Sequence, residues 1–471
     1  MPACASAALK KIDEEIALVK GSIDEVLRRE LAANSAALQR LEDDLMRLHL
    51  RLASLETARK LQEALVSRAV CDAIEALLRC LSGKFRMVAW RPHDLLFFGG
   101  VRITIWMPYY ARKCAPGKGI SPHMALFGIL QHMSPELSSV AAMLSAALSS
   151  FEEAATVLEK LGAKINVKTL RLVSKAFAQR ARATKDSEDS SPAKEGDKLL
   201  EDGEDGAIRR IVLSTDGGRV RVRRPKRGPK AKGGRDRYHA DWREPKLIII
   251  LMVNEKGRQD HAFPPIIDAT MGGPDCAFAL LRSYLKRLSL KQIKLSFVSD
   301  GAKWIWQRVH DLFTGLEIEL TEITMLLDFY HASQHLNEMA AAKKGWQEEE
   351  RKRWVKKMKK WLINGKHEEV LQDMCEMVKG THSKTLRREL RYFQSHAERL
   401  SYKAARAIGL PIGSGAVESA IRRVINMRLK GPGIIWGEEG ATEMLLLRSF
   451  FKAGRWGQLE KWAFSQQTLG A

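Results

Sequence analysis

The chain has 471 residues, with 78 lysines and arginines against 56 acids, a formal net charge of +22 and a pI near 9.7. That length accommodates several domains, and the basic excess points to a polyanionic partner, nucleic acid first. No apolar run approaches the roughly 18 residues of a membrane-spanning helix, and the charges that begin at Lys10 give no signal-peptide pattern. The expectation is an intracellular protein without membrane partners, cytoplasmic and nucleoid-associated if prokaryotic.

Cys4, Cys71, Cys80, Cys114, Cys276 and Cys375 are scattered without a Cys-x-x-Cys pair, so neither a disulfide framework nor a zinc knuckle is indicated. Residues 1–80 form a helical, coiled-coil-like region. Leu38, Leu41, Leu45, Leu48, Leu52 and Leu55 alternate steps of three and four before Arg59 and Gln62 interrupt them. This seam either joins two subunits or folds back on the preceding helix, around Ile12 to Leu31.

Residues 81–182 read as a DNA-binding domain. Short strands from Lys84 to Pro108, with Gly99-Gly100 between them, suggest a hairpin. Ser150-Phe-Glu-Glu153 is a capping box, and a second helix begins near Asn166, carrying Lys168, Arg171, Lys175 and Arg180. This helix-turn-helix-like pair either places Arg171 and its neighbours in a major groove or simply solvates a basic face. Residues 183–206, crowded with Ser, Asp, Glu, Lys and Gly, form a polar linker.

The expected catalytic region follows in two parts, 207–330 and 401–452, around a helical insertion at 331–400. The strand Ile211-Val-Leu-Ser-Thr runs into Asp216-Gly217, and Ile293, Leu295 and Phe297 alternate in a half-buried strand that stops at Asp300-Gly301. Asp-Gly pairs are common in turns, and Asp202-Gly203 and Asp205-Gly206 have no strand before them. A carboxylate at the end of a central strand is held by the sheet yet open to ligand, which suits metal binding.

Between these strands lies a basic segment, Arg219 to Arg237, that includes Arg221, Arg223, Arg224, Lys226 and Arg227. Its glycines and prolines predict a loop, and its charge predicts phosphate contacts. Asp241 and Glu244 rank below Asp216 because neither ends an apolar strand. Leu247 to Val253 predicts a strand covered on both faces, a helix spans about Pro274 to Leu288, and Trp304 and Trp306 pack the helix behind the Asp300 turn. Ile323 to Leu327 predicts another strand, ending at Asp328-Phe-Tyr-His331. In the insertion, Lys356 to Lys360 with Trp354 and Trp361 either grips DNA or belongs to amphipathic helices that bury tryptophan.

A third acid, Glu418, falls in the first turn of a helix opened by Gly409-Leu-Pro-Ile-Gly413-Ser-Gly415, where the helix dipole also favours a carboxylate. Val417, Ala420, Ile421 and Val424 share its apolar face, and Arg422, Arg423, Arg428 and Lys430 supply positive charge. A helix around Met444 to Phe451 and a basic tail, 453–471, close the chain.

The set Ser-Thr-Asp216-Gly, Val-Ser-Asp300-Gly-Ala-Lys-Trp-Ile-Trp, Asp328-Phe-Tyr-His331-Ala and Gly-Ser-Gly-Ala-Val-Glu418-Ser, followed by Arg428-Leu-Lys-Gly-Pro-Gly, resembles the ISKra-type insertion-sequence transposases. The resemblance spans about Val101 to Trp456. It implies an α/β RNase H-like catalytic domain with a helical insertion, preceded by mainly α-helical DNA-binding and coiled-coil regions. It also implies a transposase of the two-aspartate, one-glutamate type, using two Mg2+ ions per active site, for which Mn2+ can substitute. Asp216 would bridge both ions, and Asp300 and Glu418 would each complete one site. Asp328 and His331 resemble an auxiliary motif found between the second aspartate and the glutamate in several branches of the superfamily. The implied partners are double-stranded DNA, as element terminal repeats and target, and further copies of the chain, at least a dimer on DNA. Family members carry paired cysteines after Tyr-Tyr, whereas Tyr109-Tyr110 here is followed by Cys114 alone, so the resemblance does not extend to a zinc site. A structure-selective nuclease on the same fold, or a domesticated DNA-binding protein, are the alternatives.

Overall fold

From Ala3 the chain runs as one helix to Arg28 (α1) and returns as a second from Ala37 to Ala64 (α2). The computed structural model describes residues 2–81, 84–112, 115–190, 209–230, 234, 236–288, 293–319 and 322–465. Cys114, residues 191–206 of the expected linker, and 231–233 and 235 of the basic segment lie outside these. Two units emerge, one comprising Met1–Ser190 with Trp456–Ala471, the other Ser191–Arg455.

In the first unit, Ile12, Ile16, Val19 and Ile23 form the buried stripe of α1 and pack with Leu55 and Ala58 of α2, with Leu45, Leu48 and Leu52 partly buried beside them. Of the two uses of the leucine seam, the intramolecular hairpin is the one adopted. Helix α3 (Arg68–Cys80) leads to an antiparallel sheet of β1 (Phe85–Leu96), β2 (Arg102–Arg112) and β3 (Ala115–Ile120). Ile103, Ile105 and Met107, alternating along β2, bury against the helix pair. Gly99 and Gly100 turn the β1–β2 hairpin at φ +81° and +82°, and a Cβ on Gly100 would lie 1.8 Å from the Gly162 carbonyl oxygen, so only glycine fits.

Gln62, the break in the leucine pattern, is fully buried; its amide donates to the Trp106 carbonyl at 3.0 Å and accepts the Trp106 N–H at 2.9 Å. The Phe97 N–H bonds the Val101 carbonyl, so in this antiparallel register the Pro92↔Trp106 pair is a non-bonded one. Trp106 therefore turns its N–H and carbonyl to the other edge of β2, where β3 pairs only Tyr110 to Arg112. The interruption is thus a side chain serving strand backbone.

Helices α4 (Pro122–Leu126), α5 (Pro135–Ala147), α6 (Phe151–Lys160) and α7 (Val167–Ser190) complete this unit with the helix Trp456–Ala463. The Ser150 hydroxyl caps α6 by accepting the Glu153 N–H at 2.9 Å, one half of the expected capping box, while the Glu153 carboxylate accepts the Ser149 N–H at 3.2 Å. Residues 183–190 depart from the linker expectation, because they continue α7. Helix Trp456–Ala463 lies along α7: Trp456 stacks on Phe177 at 5.4 Å, Thr184 donates to the Trp462 carbonyl at 2.9 Å, and the Trp462 indole donates to Glu188 at 2.8 Å. The first part of the expected basic tail is therefore a docked helix.

The second unit is built on a mixed five-stranded sheet in the order β10-β9-β4-β7-β8. Its strands are β4 (Arg209–Gly217), β7 (Lys246–Val253), β8 (Ile266–Thr270), β9 (Ile293–Ser299) and β10 (Ile323–Leu327). β4, β7 and β8 are antiparallel neighbours, whereas β9 and β10 run parallel to β4. Helices α8 (Pro274–Leu285) and α9 (Lys303–Thr314) share a core with Ile211, Leu213, Ile248, Ile250 and Phe297. Trp306 packs edge-on against Phe297 at 5.7 Å, in keeping with the structural role expected of it.

A half-buried β9 was the expectation, yet both its faces are covered. Ser296, on the face away from Leu295 and Phe297, and Ser299, on the same face as they are, are both fully buried. They donate to the carbonyls of Thr324 at 3.1 Å and Thr215 at 2.6 Å, which satisfies their hydroxyls inside the protein.

The basic segment is also not simply a loop. Val220–Pro225 (β5) pairs with Tyr238–Arg243 (β6) as an antiparallel ribbon between β4 and β7. Val220 and Val222 are fully buried, and this valine-arginine alternation is the strand period that the prolines and glycines further on obscured.

Helices α10 (Phe329–Ala342), α11 (Glu348–Ile363), α12 (His367–Val378), α13 (Lys384–Ser395) and α14 (Tyr402–Ala407) follow β10. Trp354 is buried with its indole on Asp373 at 2.6 Å, and Lys357 pairs with the same acid at 2.8 Å, so this tryptophan serves packing. Then come α15 (Gly415–Ile421), a π-helical turn Arg422–Asn426, α16 (Met427–Leu429) and α17 (Glu438–Lys452). α15 packs on β4 and β7, and α17 on β8. Among the described residues, no helix is long and apolar enough to cross a membrane.

Candidate active site

Strand register brings the two aspartates together. Every β4 residue in the parallel ladder from Arg209↔Ile293 to Leu213↔Phe297 faces a β9 residue at the same offset, and that offset carries Asp216 to Asp300. The Ser299 hydroxyl on the Thr215 carbonyl keeps the strands side by side to the last residue before the acids. Neighbouring strands lie about 4.8 Å apart, and matched positions send their side chains to the same face. β10 extends the pattern, because Leu327 pairs with Ser299 and the Asp328 N–H bonds the Ser299 carbonyl at 2.8 Å. Three adjacent parallel strands thus end in aspartate at one level.

The three carboxylates have different fates. Asp216 accepts the Gly217 N–H at 2.6 Å, and burial pushes its carboxyl up to about 6 against that hydrogen bond, with Asp300 and Glu418 adding repulsion and His331 opposing it. Asp300 accepts the Ala302 N–H at 3.0 Å, and the Trp306 indole holds its carbonyl at 2.6 Å. Gly301 is needed behind it, since a Cβ there would fall 2.2 Å from the Tyr392 ring.

Asp328 is fully buried and committed to structure. Its Oδ1 caps α10 by accepting the His331 N–H at 2.6 Å, with His331 Nδ1 at 3.3 Å, and its Oδ2 accepts the Ser414 N–H. Burial alone would raise the Asp328 carboxyl, but the bonds from His331 and Ser414 outweigh it and the net shift is downward.

Glu418 arrives from the opposite direction of the chain, in the first turn of α15, with Val417, Ala420, Ile421 and Val424 buried beneath it as expected. Its Oε1 lies 3.6 Å from His331 Nδ1. Asp328, His331 and Glu418 offer ligand atoms within 4.8 Å of one another. The hydrogen bond to Asp328 raises the His331 pKa against burial, and Asp300 and Glu418 add to the rise. The π turn after α15 releases carbonyls from the regular ladder, and buried Arg448 donates to those of Val424, at 2.7 Å, and Arg423.

A buttress behind the acids carried no legible motif. His335, one turn after His331 on α10, stacks on Tyr392 with ring centres 3.6 Å apart and lies 2.5 Å from buried Glu389. His396 packs edge-on against Tyr392 at 5.1 Å. His335, Glu338 and Glu389 also converge, but Arg388 bonds both glutamates, at 2.5 Å and 2.6 Å. Only the four-residue spacing of His331 and His335 hinted at this cluster.

The expected DNA contacts divide by exposure. Arg219, Arg223, Lys226, Arg227, Arg422 and Lys430 are exposed, while Arg221, Arg224 and Arg423 are partly so. Arg428 is buried, its guanidinium 5.2 Å from the Trp436 ring centre, so it is placed for packing rather than for solvent. In the first unit Lys168 and Arg171 are exposed and Lys175 is half-buried. Arg171 lies 4.0 Å from Glu152 and over the Phe151 ring, a link between α6 and α7. Asp241 faces Arg224 and His239, and Glu244 faces Lys246, which leaves neither acid among the strand-end carboxylates.

Comparison with known proteins finds no matching family model, no matching curated protein and no matching solved structure.

Proposed function

We propose that this protein is a divalent-metal-dependent DNA transposase that cuts the ends of its mobile element and joins them to target DNA. The observation that carries this is the shared level of Asp216 and Asp300 on adjacent parallel strands, with Glu418 delivered beside them by α15. Three antiparallel strands followed by two parallel ones, with helices on both faces, support the RNase H-like reading.

The donor set fits hard cations. Asp216, Asp300 and Glu418 present carboxylate oxygens, and the Asp216 carboxyl, raised by burial and its acidic neighbours, has a charge that a cation would relieve. Magnesium held there supplies an activated oxygen nucleophile and compensates charge at phosphorus and on the leaving oxygen. The chain's own residues do the positioning. The sheet fixes Asp216 and Asp300, Asp328 fixes the entry to α15, and exposed Arg422, one turn after Glu418, offers positive charge to a phosphodiester. Water would cut first, and the freed 3′-hydroxyl would then attack target DNA in the same pocket. No serine or tyrosine nucleophile is invoked.

The test is magnesium-dependent cleavage and joining of a labelled duplex bearing the element's own terminal sequence, comparing wild type with Asp300→Ala. Joined products that vanish in the mutant are expected. Cleavage without joining would make the protein a nuclease, and binding without either would remove the catalytic reading.

A further inference from the structure

The β5–β6 ribbon leaves the sheet immediately beyond Asp216 and returns at Lys246, which pairs with Gly217. Its inner face is fixed. Val220 and Val222 are buried, Arg224 and Arg243 both bond Glu438, and the backbones of Arg221 and Arg223 exchange hydrogen bonds with Trp436. The outer face is the unusual one, for Trp242 is 56% exposed and Tyr238 48%. Single exposed apolar residues need no explanation. Here two large aromatics share one face of a pinned ribbon, each with an arginine beside it: Arg221 at 5.6 Å from the Trp242 ring centre and Arg223 at 4.9 Å from that of Tyr238.

Trp242 also forms one wall of a cleft of about 410 Å³ whose other lining includes Trp304, Lys246, Glu244 and Gly273. Such a volume lies within the span of small-ligand sites, about 300–1,000 Å³. Lys246 is 5% exposed, with its ammonium 4.1 Å from the Trp304 ring centre and 2.6 Å from Glu244. Trp304 stands in the first turn of α9, just beyond Asp300. The cleft therefore opens at the same end of the sheet as the strand-end acids, on the face opposite to theirs, and it combines aromatic walls with the Lys246–Glu244 ion pair.

We propose that this cleft and the outer face of the ribbon hold an unpaired DNA nucleotide next to the phosphate that is cut. A base inside a duplex is covered on both sides, whereas exposed indole and phenol rings can stack only on a base whose face is free. Trp242 supplies the stacking surface, Arg221 and exposed Arg223 on the same ribbon face attract the flanking phosphates, and Trp304 closes the far wall. The proposal rests on reading the acids as a DNA-processing centre, but the stacking itself requires neither metal nor chemistry.

The experiment uses the full chain in EDTA and measures affinity for an oligothymidylate and for a paired duplex of equal length. It also follows 2-aminopurine fluorescence in a duplex with a one-nucleotide 3′ overhang. Trp242→Ala should weaken the oligothymidylate complex by about tenfold, leave duplex affinity within about twofold, and abolish the 2-aminopurine change. Trp242→Phe, which keeps an aromatic face, should restore most of it, and the exposed position makes unfolding an unsuitable explanation. Equal losses on both substrates, or none on either, would overturn the cleft assignment. Repeating the measurement in Asp300→Ala separates the two readings. If wild type neither cuts nor joins DNA while the Trp242 effect persists, the transposase reading falls and the cleft stands. If cleavage depends on Asp300 but Trp242→Ala binds unpaired DNA normally, the cleft alone is rejected.

Discussion

The buried carboxylate of Asp328 accepts the backbone N–H of Ser414, 86 residues further along the chain. One side chain thereby ties the end of β10 and the start of α10 to the residue that precedes the Glu418 helix, and the Phe329 N–H repeats the tie on the Ile412 carbonyl at 3.0 Å. Asp328→Ala removes a helix cap, costing about 0.5–2 kcal/mol, and orphans a buried N–H, costing about 1–3 kcal/mol. Urea unfolding in EDTA should show a combined loss of about 2–4 kcal/mol together with lost cleavage. Asp328→Asn retains oxygen for one of these bonds and should lose less. Were Asp328 chiefly a metal ligand, the alanine variant would keep its metal-free stability and change only its magnesium dependence.

Arg448 makes the second long-range support for the same helix. It is 2% exposed, and burial lowers its pKa to about 10. The carbonyls of Arg423 and Val424 depend on it. Arg448→Met fills the volume but leaves these acceptors without their donor, so thermal unfolding should report a loss of about 3 kcal/mol. Cleavage should fall too, because α15 and the π turn form one continuous support for Glu418. An unchanged melting temperature would mean that the carbonyls find other donors.

Gln62→Leu restores the apolar pattern of α2 and should nevertheless destabilise the first unit by about 2 kcal/mol, since both backbone groups of Trp106 lose their partner inside the protein. Hydrogen exchange at the Trp106 amide should accelerate selectively. A neutral or stabilising result would show that packing outweighs these two bonds.

The acids were legible because each strand-end aspartate follows a short apolar run, and Glu418 follows a glycine-rich entry into a helix. Their convergence was not. The common offset that sets Asp216 level with Asp300 exists only once β4 and β9 pair in parallel, and pairing register leaves no local mark in either strand. The continuation of α7 was hidden for a similar reason, since Thr184 and Glu188 are completed by Trp462 from the far end of the chain. Locally, that stretch has only the polarity of a linker. The ribbon is hard to see in the sequence because the glycines and prolines of its connection outweigh the period-two valines at its start. The leucine seam of α2 admitted two partners equally, and only the packing of Ile12, Ile16 and Val19 against it selects one.

The raised pKa of Asp216 gives the site a signature in stability that needs no substrate. In the unfolded chain its carboxyl titrates near its ordinary value of 3.8, and in the folded protein near 6. Below about pH 4 both states hold the proton and the group contributes no difference. As pH rises from about 4 to about 6, the unfolded state ionises first and is favoured, so the folded protein loses stability until the native group ionises as well. Above that window the deficit is constant. Asp216→Asn keeps an oxygen for the Gly217 N–H but carries no charge, so it should match wild type near pH 4 and exceed it above pH 6 by about 1–2 kcal/mol, allowing for partial solvent screening. Magnesium should reverse the order, because a cation that binds the folded carboxylates stabilises wild type and gains little from the amide. Chemical unfolding of both proteins across pH 4–7.5, with EDTA and then with magnesium, checks each step. A difference that is flat with pH would show that Asp216 ionises normally, and the same ranking with and without magnesium would count against a cation at this carboxylate.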